Sequence, residues 1–462
     1  METTKALQVR RDRIAALWDV RNAAVVVASG LGVPVAGTDQ YHSFHAHPEY
    51  RYLAGAADPA SVLVFDTADG WQLFAPVASL ESRVWDGGGS SLEDVAAESG
   101  ISNVRPLGAL SAWLEAHRGD TLAVLGNHDI TQHARGYAID SWSALELNND
   151  ADLAARLSEI VAESRRAKDG SEIERMRGAA AQSRFGHFAG MRLARADMTE
   201  RALQVEVEAE FFRNGAQRTA YGSIVGSGPN AAILHTQPSS RVLANGDLVL
   251  IDAAAENEGY AADITRTFPV ASTFSGVQRD IYALVLAVQE AAIANVRPGV
   301  EYKDLHLAAC TQIAQGLVDL GILRGRADEL VARDAHALFF PHGLGHMLGL
   351  STHDAGGCLA GRTPSDRFGL KWLRADLPLE EDYVVTIEPG IYFIPAIIDD
   401  PARRTQFADA VNWERVDAMR DFGGVRIEDD IRVTREGAEV LSAHVPKSIA
   451  AIEEIRRGAL AG

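Results

Sequence analysis

The 462-residue chain carries 63 Asp and Glu against 44 Lys and Arg, a formal net charge of −19. A phosphate-binding surface needs a basic patch to release counterions, and no sustained Lys/Arg cluster interrupts this acidic background, which argues against nucleic acid and against an anionic membrane surface. The composition, 47% hydrophobic and 23% charged, is that of a globular protein, and at roughly 150 residues per domain the length allows about two or three domains.

The first 18 residues mix Lys5, Arg10, Arg11, Asp12 and Arg13 with apolar side chains, so neither a signal peptide nor a membrane span is expected, and a cytoplasmic protein is. The cysteines, Cys310 and Cys358, lack C-x-x-C spacing and read as reduced packing residues. Short β-rich runs at 23–29, 50–54, 61–66, 71–75 and 121–126 alternate with amphipathic stretches such as 91–99, the pattern of an α/β unit. A helix over 153–164 runs into a polar stretch, after which Ser171 and Glu174 supply an S-x-x-E capping box for another helix. A boundary is therefore placed near residue 165, giving domains 1–165 and 166–462. Within the second, the runs 246–252 and 381–388 echo each other as β-rich strands ending on a carboxylate, with helices expected at 275–296 and 302–320. That organisation is α+β with two related halves.

The chemistry concentrates here. The stretch 251–263 reads as a hairpin, and a turn centred between Asn257 and Glu258 would put Asp252 opposite Asp263. Two buried anions so placed repel unless a cation joins them. Glu388 and Glu428 likewise sit in apolar, strand-like runs, and His346 closes the run His342-Gly343-Leu344-Gly345-His346. A zincin helix is set aside there, because position 343 is Gly rather than Glu and two glycines weaken any helix. Four carboxylates match the charge of two divalent cations, with His346 adding a neutral nitrogen. Carboxylate-rich ligation suits Mn²⁺, with Co²⁺, Fe²⁺ or Zn²⁺ as alternatives. Paired metals can share a hydroxide nucleophile and clamp a developing oxyanion. The run Gly226-Ser227-Gly228-Pro229 lacks the G-K-[ST] of a phosphate loop and reads as a turn. His42, His45 and His47 read as loop histidines without a completed metal set.

From about residue 165 onward, Asp252, Asp263, the H-G-x-G-H run, Glu388-Pro389-Gly390 and Arg426-Ile427-Glu428 resemble the metal-dependent pita-bread peptidases of family M24, which include methionine aminopeptidase, aminopeptidase P and prolidase. The resemblance implies a creatinase-like N-terminal α/β domain before an α+β pita-bread catalytic domain. The stretch 74–85 and the 40-residue spacing from Glu388 to Glu428 are similar to prolidase, aminopeptidase P having a shorter connection. The same resemblance implies an Xaa-Pro dipeptidase in which Asp252 ligates one metal, His346 and Glu388 the other, and Asp263 and Glu428 bridge both. Glu388 would also shuttle protons and His353 would stabilise the oxyanion. His235 and Arg374, the latter 14 residues before Glu388, would hold the dipeptide's C-terminal carboxylate. Tyr221 matches a pocket position, Trp85 an aromatic that reaches the neighbouring subunit's active site, and a homodimer is expected. The chain departs from common family forms at Ala253-Ala254-Ala255 and at Ser351-Thr352. The rivals are an aminopeptidase P acting on longer peptides, a metal-free binding protein on the same fold, and creatinase-type C–N hydrolysis without metal.

Overall fold

Valine-rich runs separated by turns build the first sheet. The computed structural model describes residues 4–55, 58–125 and 148–461, which divide into two units, Met1–Arg165 and Arg166–Gly462. In the first, β1 (Ala23–Ala28), β2 (Val62–Asp66), β3 (Gly70–Ala75), β4 (Val104–Pro106), β5 (Thr121–Leu125) and β6 (Asn148–Asn149) form one sheet of order β4-β3-β2-β1-β5-β6. β1 pairs antiparallel to β2 and parallel to β5. One face of it buries Val26, Val64 and Phe74 against Leu110, Trp113 and Leu114. The strand expectation at 121–126 ends on Gly126, which lies outside the described residues.

One strand expectation is corrected. Residues 50–54 belong to the helix Pro48–Ala54. A short run with apolar or aromatic residues at 50, 52, 53 and 54 fits either period, and the flanking signals decide: Pro48 in the first turn and Gly55 at φ 74° after the last. The helix Leu92–Ser99 starts as expected, with Ser91 and Asp94 exchanging a capping box.

The second unit opens with the helix Gly170–Leu193, and its cap also corrects the expectation. Asp169 is the N-cap, accepting from the Ser171 and Glu172 amides while Glu172 reaches back to the Asp169 amide. Asp169 and Glu172 form the same box two residues earlier than Ser171 and Glu174, and the Ser171 hydroxyl is occupied in donating to Asp169.

The strands of this unit are β7 (Arg218–Thr219), β8 (Ile224–Ser227), β9 (Leu248–Asp252), β10 (Ala255–Asn257), β11 (Tyr260–Ala261), β12 (Thr265–Pro269), β13 (Val384–Ile387), β14 (Gly390–Tyr392), β15 (Gly424–Arg426), β16 (Asp429–Thr434) and β17 (Gly437–Val440). They form the sheets β12-β9-β8, β11-β10-β7, β13-β16-β17 and β14-β15. The two echoing runs are β9 and β13, each paired antiparallel with a neighbour, and the helices Gly276–Ala294 and Tyr302–Asp319 lie between them in the chain. A continuous core of Val249, Ile251, Phe268, Ile281, Val285, Ile313, Val385, Ile387 and Val425 joins these strands and helices. The turn reading of Gly226–Pro229 is corrected: Gly226 and Ser227 end β8, and Gly228 and Pro229 begin the 3-10 segment Gly228–Ala232, so the chain passes from strand to helix within the run.

Cys310 is buried, whereas Cys358 is exposed, which corrects the packing reading for the latter. Cys358 sits on a loop bridged through its backbone to Asp376, and its thiol is left outside. No helix among the described residues is long and apolar enough to cross a membrane.

Candidate metal centre

The hairpin after β9 is real, but its register differs from the expected one. Asp252 pairs with Thr265, and Asn257 with Tyr260. The turn therefore consists of Glu258 and Gly259, both at positive φ (48° and 87°), as a two-residue type I′ turn requires. Glycine adopts that geometry freely; Glu258 is held in it with Arg175 on its carboxylate at 3.0 Å. The turn centre lies one residue later than the sequence suggested, so Asp263 falls in the irregular stretch between β11 and β12 rather than opposite Asp252.

That displacement is how the carboxylates converge. Only Asp252 ends a strand; Asp263, Glu388 and Glu428 occupy breaks between strands, which corrects their placement on strands. In a strand, alternate side chains go to opposite faces, whereas a break frees each to turn inward. The Asp263 amide donates to the Asp430 carboxylate at 3.1 and 3.3 Å. The Glu388 amide donates to Leu344 O at 2.8 Å and the Glu428 amide to Thr265 O at 3.1 Å.

His346 is fixed on three sides. Its amide donates to the Thr386 hydroxyl at 3.1 Å, its carbonyl accepts from the Thr386 amide at 2.9 Å, and its Nδ1 donates to Met347 O at 2.9 Å. With Nδ1 so engaged, Nε2 is the nitrogen turned toward the carboxylates, 3.4 Å from Asp263 and 3.7 Å from Glu388. Gly345 permits the approach, since a Cβ there would lie 2.2 Å from Thr386 O and 2.4 Å from the Tyr302 hydroxyl. Ligand atoms of Asp263, His346 and Glu428 all lie within 4.8 Å of one another.

The electrostatics are those of anions held together without enough positive charge. Burial pushes Glu388 up to about 7, the nearby Asp263 and Asp252 adding to it against His346 and Arg426. Burial and the same neighbouring carboxylates push Glu428 well above the usual range. Asp263 is raised too, by burial first and Asp252 next, against its bond with His346. Burial pulls His346 down, but the bond to Asp263 and the charges of Glu388 and Asp263 outweigh it and the net shift is upward. A tight, buried, oxygen-rich set with one imidazole nitrogen facing it fits divalent cations, which would displace the protons held there.

Asp252 is held differently. Arg426 donates to its Oδ2 and the Tyr221 hydroxyl to its Oδ1. The rest of the Arg426 guanidinium donates to the Thr265 hydroxyl at 3.1 Å and the Tyr392 hydroxyl at 3.0 Å. Tyr392 in turn meets His342 Nε2 at 2.9 Å, and His342 Nδ1 donates to Gly343 O at 2.8 Å. Burial, with Arg426 next, pulls His342 down to about 3, so the imidazole is neutral at pH 7. Sequence reasoning quoted Arg426 within a motif but gave it no part, and missed Tyr392 and Asp430.

A cavity of about 760 Å³ opens onto this cluster, lined by Asp252, Asp263, His346, Glu388 and Glu428 together with His235, His353 and Arg374. Its apolar walls are Ile233, Leu234, Phe368, Trp372 and the segment Ile394–Ile397. His353 packs edge-on against His346, ring centroids 4.4 Å apart. Burial, followed by the charges of His346, Arg374 and His235, pulls it down to about 4. Tyr221 reaches the cluster through Asp252, while Trp85, in the other unit, is 73% exposed at the end of the helix Leu80–Trp85. Among the described residues, His42, His45 and His47 form no metal-sized donor group.

A family model described as metallopeptidase family M24 matches residues 174–435. The chain belongs to metallopeptidase family M24. Its N-terminal unit matches the model described as aminopeptidase P, N-terminal domain, over residues 7–123. The M24 chain is 33% identical to the human Xaa-Pro dipeptidase over 94% of its length and 88% of the relative. It is also 33% identical to the Escherichia coli Xaa-Pro aminopeptidase, over 97% and 96% respectively. Among solved structures, E. coli aminopeptidase P with the inhibitor Pro-Leu is similar at a TM-score of 0.84 and 30% identity, covering all of both chains. Pseudomonas aeruginosa aminopeptidase PepP gives 0.83 and 31%, over 100% of this chain and 99% of the other. The architecture is thus an aminopeptidase P-type N-terminal domain followed by a pita-bread catalytic domain, and the enzyme is a metal-dependent peptidase.

Proposed function

We propose that this M24 peptidase is an Xaa-Pro dipeptidase that cleaves the bond before a C-terminal proline. The observation that carries the reading is Arg374. Its guanidinium lines the cavity of the carboxylate cluster and, among the described residues, engages no carboxylate of the protein. A planar fork of donors held beside a hydrolytic centre is suited to a substrate carboxylate, and His235, which lines the same cavity, adds a second polar group. The residues between Glu388 and Glu428 send Ile394–Ile397 into the cavity wall, bounding it as a short substrate requires.

In this reading Asp252, Asp263, His346, Glu388 and Glu428 hold two divalent cations, Mn²⁺ by preference. Bound there, such ions supply a water of lowered pKa and polarise the scissile carbonyl. Glu388 takes the proton of the attacking water and passes it to the prolyl nitrogen. His353, neutral at pH 7, donates an N–H to the oxygen on which charge develops. Arg374 and His235 fix the far end, so the peptide bond is presented in one register. Tyr221 steadies Asp252. We place Trp85 at a homodimer contact near the partner's site and the enzyme in the cytoplasm.

The second reading, aminopeptidase P, is favoured by relatives that carry that name, the E. coli and fungal proteins among them. Comparing kcat/KM for Ala-Pro and Ala-Pro-Ala in Mn²⁺ separates the two. Preference for Ala-Pro is expected; preference for the tripeptide replaces the dipeptidase reading.

A further inference from the structure

The residues that open the catalytic unit hold the loop that runs from His353 toward Arg374. Lys168 is buried against Asp354, the neighbour of His353, with both side chains 1% exposed. Its Nζ donates to Asp354 Oδ2 at 3.4 Å and to Arg166 O at 3.2 Å. Gly349 makes room for the pair, since a Cβ there would lie 2.3 Å from Asp354 Oδ2 and 3.0 Å from Lys168 Cε. The Asp354 amide donates to Met347 O at 2.9 Å, the same carbonyl that accepts from His346 Nδ1. His353 is therefore set, through Asp354, from one side by the Met347 carbonyl that also holds the His346 ring and from the other by Lys168.

Arg166, two residues earlier, takes the far end of the loop. Its Nε donates to Gly356 O at 2.7 Å and its Nη2 to Cys358 O at 3.1 Å. The adjoining residues pair with the strand-like segment after Arg374: the Asp376 amide donates to Gly357 O at 2.8 Å and the Leu359 amide to Asp376 O at 3.1 Å. The 166–168 segment itself is anchored, the Lys168 amide donating to Asp382 O at 2.9 Å.

We propose that Lys168 and Arg166 are positioning residues: Lys168 sets His353 through Asp354, and Arg166 sets Arg374 through the 356–358 backbone. The proposal rests on the roles given to His353 and Arg374 above. It predicts a division of kinetic effects that a merely architectural ion pair would not produce. Displacing an oxyanion donor by a fraction of its reach costs kcat, whereas loosening the carboxylate anchor costs KM.

The test uses the Mn²⁺-loaded enzyme with Ala-Pro, metal content and thermal midpoint being recorded for each variant. Lys168→Met is expected to lower kcat by about tenfold to a hundredfold with KM little changed, and Lys168→Arg to recover most of it. In a double-mutant cycle, adding Lys168→Met to His353→Ala should cause little further loss, because the positioned group is already gone. Arg166→Gln should raise KM by about tenfold, with kcat largely kept. Since Lys168→Met removes the ion-pair partner of a buried carboxylate, the pair Lys168→Met, Asp354→Asn serves where the single variant is unstable, with the same fall in kcat expected. Additive losses in the cycle, loss of metal, equal effects on kcat and KM, or failure of both Lys168 variants to fold would each overturn the proposal. His353→Ala and Arg374→Ala control the premise: if neither alters Ala-Pro kinetics, the proposed roles fail and this inference with them. If both do and Lys168→Met does not, the positioning alone is wrong.

Discussion

Arg374→Ala is the perturbation from which the substrate class can be read. The Arg374 guanidinium faces the cavity that holds the carboxylate cluster, so truncating it strands no ion-pair partner among the described residues and creates no buried orphan charge. A hydrogen bond to a charged group contributes about 1.5–3 kcal/mol, and because Arg374 is itself exposed the lower half of that range applies. Moving the carboxylate onward by one residue, about 3.3–3.6 Å, puts a neutral peptide group where the carboxylate had been. The parent enzyme should therefore prefer Ala-Pro over Ala-Pro-Ala by roughly tenfold to fortyfold in kcat/KM. Arg374→Ala should lower Ala-Pro hydrolysis by a similar factor, leave the tripeptide nearly untouched and so collapse the preference. Steady-state kinetics on both substrates, at saturating Mn²⁺ and matched metal content, is the assay. Equal losses on the two substrates would make Arg374 structural, because no carboxylate-specific contact could then be assigned to it.

The same site carries further expected outcomes. His353→Ala should lower kcat by about a hundredfold or more with metal content unchanged, the usual loss for one oxyanion donor; elemental analysis alongside kinetics distinguishes this from a collapsed site. Chelation should abolish activity and Mn²⁺ restore it, and at about a hundred times its dissociation constant the metal should add about 2.7 kcal/mol of stability. Asp263→Asn should lose most of that increment, and a fully active protein without bound metal would exclude the centre altogether. Metal-free protein should also lose stability as pH rises. A carboxyl raised in the folded state, as Glu388 is to about 7, contributes stability that is complete below its unfolded value near 4.5 and lost as pH passes its folded one; His346, also raised, acts in the same direction. The thermal midpoint in chelator should therefore be lower at pH 8 than at pH 5.5, and Mn²⁺, which competes with those protons, should stabilise more at the higher pH. A chelated protein at least as stable at pH 8 would contradict this.

What the sequence disclosed and what it withheld divide along a physical line. Charged side chains inside apolar runs are costly, so Asp252, Asp263, Glu388 and Glu428 stood out without any structure, and His346 with them. Elements bounded by strong signals were equally legible, as with Ser91 before the helix Leu92–Ser99. The same signals misled where two lay close together: Ser171 and Glu174 make as good a box as Asp169 and Glu172, and the choice rests on which hydroxyl or carboxylate is left to accept. At 50–54 a five-residue run was too short for its period to tell strand from helix, and only Pro48 and Gly55 separate them.

The centre's supporting groups were beyond reach for a different reason. Arg426, Tyr392, Asp430, Lys168 and Asp354 act through partners far away in the chain, and a lone arginine or aspartate carries no local mark of whether its charge is solvated or buried. Burial decides it: Arg426 is 4% exposed, and a guanidinium so enclosed must spend its donors on fixed acceptors. It does so on Asp252, Thr265 and Tyr392, which ties one carboxylate of the cluster to β12 and β14. The one-residue error at the hairpin turn has the same origin. A turn centred a residue earlier would have faced Asp252 with Asp263 in a regular ladder, at a cross-strand spacing that pairs two anions and admits little else. The Glu258-Gly259 turn instead releases Asp263 from the ladder, lets Asp430 hold its amide, and leaves its carboxylate free to meet His346 and Glu428 from a different direction. Convergence of the four carboxylates thus depends on where the strands stop, which residue periodicity alone does not encode.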